Sequence, residues 1–258
     1  MIACMNRWLL LAVLAGHAAT TWPLHGALAQ SPDQMQESAG YALADALMPY
    51  AQLDYVRALK LLSPLAEQGN AVAQLKLGII FSRGETTNAP DHVAALQWFT
   101  KAAEQGEVEA QFELGRIYRD GLGTRVDGKA AVYWFERSAE RNTPHAINAL
   151  GELYLGHRDV PQDLARARSW FLRGAQMGNS ASMYNIGVLY TRGQGLVQDD
   201  IEAFKWFELA ADVGVGEERD KALRARTLLA ERLTPVEVSW AEGRVKDWSR
   251  AYLSVSLK

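Results

Sequence analysis

The sequence predicts an all-α solenoid, a stack of helix pairs repeating about every 36 residues, and three observations carry that reading. Trp98, Trp134, Trp170 and Trp206 stand 36 residues apart, and each is followed by a phenylalanine (Phe99, Phe135, Phe171, Phe207). An alanine lies three residues before each tryptophan (Ala95, Ala131, Ala167, Ala203) and an aspartate seven before (Asp91, Asp127, Asp163, Asp199). A second pattern, small-x-x-x-apolar-Gly-x-x-aromatic, precedes each of these frames. Self-similarity at such a period marks a repeat architecture, in which each unit buries its apolar face only by stacking on its neighbours.

The tryptophan frame reads as the second helix of each pair, helix B. Its aspartate falls at the start, where a carboxylate accepts from the unpaired N–H groups of the first turn. The alanine, the Trp-Phe pair and Ala103, Ala139, Ala175 or Ala211 recur at helical spacing, so the pair is expected in the core. Gly106, Gly178 and Gly214 close three of the frames and Asn142 the fourth, residues that tolerate the left-handed conformation ending a helix. Helix A is read in Ala73…Leu77-Gly78…Phe81, Ala110…Leu114-Gly115…Tyr118, Ala146…Leu150-Gly151…Tyr154 and Ser182…Ile186-Gly187…Tyr190. A glycine inside a helix costs about 1 kcal/mol relative to alanine, so its recurrence implies a neighbour too close for a β-carbon.

The units are placed at 70–106, 107–142, 143–178 and 179–214. A degenerate first unit, 34–69, keeps Asp54, Ala58, Leu62 and Gly69 but has Leu61 in the tryptophan position. Capping helices are expected over 219–253, the last opened by Thr234-Pro235-Val236-Glu237, a capping box with proline at the first helical position.

The first 29 residues read as a signal peptide. Arg7 precedes the apolar run Trp8–Ala15, and Ala27-Leu28-Ala29 supplies small residues for cleavage after Ala29. The run is too short to span a bilayer. Cleavage would leave a chain of net charge −4, located in the periplasm or secreted, without a stable membrane span. It would also remove Cys4, the single cysteine, so the mature chain would have no disulfide, thiolate nucleophile or cysteine metal site. The 27 basic residues are dispersed among 30 acidic ones, which excludes the clustered positive charge of nucleic-acid binding.

The segments AQFELGRIYRDGLGTRVDGKAAVYWFERSAERN, AINALGELYLGHRDVPQDLARARSWFLRGAQMG and SMYNIGVLYTRGQGLVQDDIEAFKWFELAADVG resemble the Sel-like repeat family, relatives of the tetratricopeptide repeats. The resemblance covers about residues 54–214. Unit four departs from it with Gly156-His157 in the loop and Asn142 for the terminal glycine. It implies a right-handed α/α superhelix of antiparallel helix pairs that serves as an adaptor or regulator by binding another protein. One branch of the family is linked to β-lactam binding or hydrolysis, but its members carry a cysteine pair in each repeat, and this chain has none.

A partner is expected on the concave face lined by helix A. With the helix A glycine as reference, the positions three before, one after and four after share a stripe. They are Leu75, Ile79 and Ser82, then Phe112, Arg116 and Arg119, then Asn148, Glu152 and Leu155, then Tyr184, Val188 and Thr191. Phe112 and Tyr184 are the expected anchors, with Arg116 and Arg119 meeting acidic groups of the partner, because aromatic and arginine side chains dominate interface hot spots. The same side chains have an alternative use in packing and ion pairs between repeats. An enzyme is not expected. His92, His145 and His157 share no metal-ligand spacing, no hydrolase motif is present, and no cofactor is implied. Within the binding class, a periplasmic regulator of a membrane sensor, an envelope scaffold and a secreted effector binding a host protein all fit.

Overall fold

The computed structural model describes residues 32–253, with side chains from Gly40 to Tyr252. The expected signal peptide, its cleavage site and Cys4 lie outside the described residues. Helix α1 (Pro32–Ala51) is followed by α2 (Tyr55–Glu67), α3 (Ala71–Arg83), α4 (His92–Glu104), α5 (Val108–Asp120) and α6 (Gly128–Glu140). Then come α7 (Pro144–Tyr154), α8 (Leu164–Gln176), α9 (Ser180–Arg192), α10 (Asp200–Val213), α11 (Gly216–Ala230) and α12 (Pro235–Trp248), the last continuing into a π-turn, Ser249–Leu253. From α2 to α11 each helix packs on the next, while α12 returns to pack on α10. The odd-numbered helices α3, α5, α7, α9 and α11 also reach one another across repeats, whereas α4, α6, α8 and α10 stand further apart. The odd-numbered face is therefore the inner side of the stack. The chain is an all-α repeat solenoid.

Local chemistry sets the helix ends. Asp91, Asp127, Asp163 and Asp199 each accept from the backbone N–H three residues on, at 2.9 Å. Such a cap contributes about 1 kcal/mol. The capping box at Thr234 and Glu237 is formed, each side chain bonding the other residue's N–H. Gly106, Gly178 and Asn142 have positive φ, as their positions require. Gly214 does not: α10 extends to Val213 and ends through Gly214 in extended backbone, with the turn passed on to Gly216.

The helix A glycines have a definite reason. A β-carbon built on Gly78 or Gly187 would lie 2.6 Å from the ring of Phe99 or Phe207, and Gly115 and Gly151 meet Phe135 and Phe171 still more closely. Each pair is thus locked by a phenylalanine of helix B lying flat on the glycine of its own helix A. Phe99, Phe135 and Phe171 are fully buried and Phe207 nearly so.

The expectation that tryptophan shares this core is corrected. Trp98, Trp134 and Trp170 are only half-buried. One residue from phenylalanine is about 100° of helix rotation, which takes the indole out of the intra-pair seam and onto the preceding repeat. Trp98 packs on the cluster around Leu62 and Ala66, and Trp134 on the one around Phe99 and Ala102. Trp206 alone is buried, because Trp248 of α12 stacks on it edge-on at 4.5 Å between ring centroids. The first unit obeys the same rule: Leu62, in the phenylalanine position, is buried, and Leu61, in the tryptophan position, is exposed.

The loops between helices A and B stack in register too. A β-carbon on Gly123 would collide with the backbone of His92 at the start of α4, and one on Gly195 with Leu164 at the start of α8. In the fourth unit the loop residue is Val160, which is buried, and the helix start beneath it is Gly128, with room for nothing larger beside the valine.

Candidate partner-binding face

The inner face is tied together by polar links that cross from repeat to repeat. Lys76 lies over the Tyr50 ring and 3.8 Å from Glu109. Arg119 pairs with Asp120 at 2.7 Å and reaches Glu152 at 4.0 Å. Asn148 accepts from Ser182 and Asn185 and donates to Glu152. Lys221 of α11 covers the Tyr184 ring at 4.2 Å.

Between these links lie two hollows. The first, about 230 Å³, is formed where α3 meets α5 and α4, with Ile79, Arg83, His92, Glu109, Glu113 and Arg116 on its walls. The second, about 120 Å³, is formed where α7, α9 and α11 converge, bordered by Glu152, Tyr184, Asn185, Glu218 and Lys221. Glu113 accepts from Arg116 at 3.1 Å. Burial raises its carboxyl pKa above the ordinary value despite the opposing pull of Arg116. The hydrogen bond from Arg119 lowers that of Asp120. Among the described residues no group of three or more His, Cys, Asp or Glu is arranged to hold a metal ion.

The structure sorts the expected contact residues into those in packing and those at the surface. Leu75 and Ile79 are 4% and 6% exposed and belong to the core between α3, α4 and α5, so neither projects from an open face. Only an edge of Ile79 reaches the first hollow. Phe112 is half-buried, its ring against Phe135 at 5.7 Å and His145 at 6.1 Å. Val188 packs beside Phe204 and Phe207, and Tyr184 rests on Phe207 at 5.1 Å with one side turned to the second hollow. Arg116 and Glu152 keep side chains 42% and 45% exposed, whereas that of Arg119 is 25% exposed and held by Asp120.

The stripe read from the sequence was therefore rotated. The position three before the glycine (Leu75, Phe112, Asn148, Tyr184) is largely taken by packing between repeats. Beside it, Glu109 at six before, Arg83 at five after, and Glu113 and Asn185 at two before line the hollows. These positions lie roughly 70° about the helix axis from the expected stripe. The contacts between successive A helices determine that angle, and the repeat period alone does not contain it. Glu218 and Lys221 lie outside the count because α11 has no glycine in its interior, its one glycine, Gly216, being its first residue.

The Sel1 repeat profile matches residues 39–70, 71–107, 108–143, 144–179 and 180–215. The chain belongs to the Sel1 repeat family. Its fold is similar to that of a Sel1 repeat protein from Oxalobacter formigenes, with a TM-score of 0.61 and 24% identity over 77% of this chain and 87% of that one. It is similar as well to c5321, a protective antigen of uropathogenic Escherichia coli strains displaying the same fold. There the TM-score is 0.51 and the identity 26%, over 85% of this chain and 55% of that chain. No curated protein sequence matches significantly. Sel1 repeats are commonly protein-interaction scaffolds, which suggests a protein partner. Among the described residues no helix is long and apolar enough to cross a membrane.

Proposed function

We propose that this Sel1 repeat protein is an exported scaffold or regulator that holds another protein against its odd-numbered helices. The observation that supports the reading most is the pair of hollows on that face, each combining opposite charges with an apolar floor. Charged and polar groups around an apolar patch fix register and orientation, while the patch supplies desolvation. Arg116 and Arg83 in the first hollow would meet acidic groups of the partner, and Tyr184 with Glu152 and Lys221 in the second would anchor a mixed apolar and charged segment. Within this reading the apolar start of the chain supports export, and a periplasmic regulator of a membrane sensor is the use we favour.

Crosslinking in cells followed by mass spectrometry identifies the partner, and the double variant Arg116→Ala with Lys221→Ala tests the face. Loss of capture at unchanged thermal unfolding is the expected result. Capture equal to that of the wild type would show that this face is not the docking surface. The same crosslinking separates the uses: a membrane sensor among the products supports the regulator, a wall enzyme the envelope scaffold, and a host protein the secreted effector. A β-lactam turnover assay addresses the remaining enzymatic reading, for which turnover above the blank would replace the scaffold.

A further inference from the structure

The outer face of α12 is built for close approach by a helix, and none of the described helices of this chain covers it. Within α2–α12 the helix-interior glycines Gly78, Gly115, Gly151, Gly174 and Gly187 all have a side chain pressed where a β-carbon would be. Gly243, in the middle of α12, is the exception, with nothing within 4 Å. It weakens an exposed helix for no internal gain. One turn before it stands Trp240, 59% exposed, and one turn before that Val236, 58% exposed. Ala241 and Val245 on the opposite face are buried against the chain's own core. Val236, Trp240, Gly243 and Asp247 follow one another at spacings of four, three and four, the seam of two packed helices.

We propose that this seam pairs with the same seam of a second copy, two α12 helices lying antiparallel about a two-fold axis. The argument is self-complementarity. A two-fold interface must carry both the knob and its hole on one surface, and α12 presents a tryptophan and an unfilled glycine three residues apart. Antiparallel pairing centred between them lays Trp240 of each copy on Gly243 of the other. It repeats between chains the aromatic-on-glycine lock that joins α3 to α4 and its three counterparts within the chain.

One charge supports this register. Glu237 and Arg244 are engaged within the chain, Glu237 in the capping box with Thr234 and Arg244 with Glu202 at 2.6 Å, so neither is spent across the seam. Asp247 arrives beside the first turn of the opposite α12, where the helix dipole favours a carboxylate. The odd-numbered face lies elsewhere on the stack, so pairing through α12 leaves both hollows accessible and presents two of each per dimer.

Sedimentation velocity on the purified full chain tests the proposal. The wild type should sediment as a dimer at concentrations of about 100 μM, and Trp240→Glu should raise the dissociation constant by about 100-fold or more at unchanged helix content. Gly243→Ala provides the sharper measurement. Open space surrounds Gly243 in the single chain, so alanine should leave the monomer's melting temperature unchanged or raise it. Its methyl group fills the hole for Trp240, so the same substitution should weaken dimerisation by about tenfold. A wild type that remains monomeric, or a dimer indifferent to both substitutions, would overturn the assignment.

Discussion

The middle repeats and the C-terminal helix pair solve the same packing problem with different parts. In the repeats from α3 to α10, a phenylalanine lies on a glycine of the partner helix, and in those up to α8 the adjacent tryptophan leans half-exposed on the repeat before it. The terminal pair has neither element. Helix α11 has no glycine at the crossing, and α12 packs principally on α10, with Trp248 burying Trp206. Within the array, tryptophan is a link between neighbours. At the end it becomes core. The same residue type at the same repeat position thus has an energetic value set by whether a further helix covers it.

Substitutions that separate the two regimes follow, in order of expected effect. Phe135→Ala should destabilise the chain most, by about 3–5 kcal/mol in chemical unfolding, because it empties the seam over Gly115. Trp206→Ala should come next at about 3–4 kcal/mol, against about 1–2 kcal/mol for Trp134→Ala, whose ring is half in water. Equal losses at the two tryptophans would show that the terminal helix adds no burial. Gly128→Ala should cost about 1–2 kcal/mol through its contact with Val160, and most of that loss should disappear in a Val160→Ala background. An additive double-mutant cycle would contradict that coupling. The smallest effect belongs to Asp120→Asn. The Asp120 carboxyl is held below its ordinary pKa by Arg119, so it stabilises the fold above the unfolded-state value and loses that contribution as the pH falls through the folded one. The stability gap between Asp120→Asn and the wild type should therefore close in acid, and a gap constant down to pH about 2 would refute the assignment.

Much of the fold was legible because the residues that build it are periodic. The capping aspartates, the recurring glycine and the phenylalanine after each tryptophan have local physical causes, and each acts as its cause requires. What the sequence concealed was angular. Whether tryptophan or phenylalanine enters the seam, and whether Leu75 or Glu109 faces outward, depends on how far each helix turns against the next. A turn of 70–100° is less than the step between adjacent residues or equal to it, about 100°. Side chains such as Asn148 were harder still to place, since its neighbours Ser182 and Asn185 belong to the following repeat. The second hollow draws on α11, beyond the last recognisable frame, and its Lys221 carried no periodic signal.

The stacked loops bear on how such a chain can change by recombination. Each loop rests on the first turn of the previous helix B, and the contacts are matched individually: Gly123 with His92, Val160 with Gly128, Gly195 with Leu164. In the terminal pair an ion pair between Arg232 and Asp200 takes the same place. Excision of the unit at 107–142 would set Val160 against His92, two side chains where one fits. Excision of 143–178 would set Gly195 over Gly128 and leave a gap. The copies share a plan but are not interchangeable, so the array can gain or lose whole units only where both halves of a junction move together.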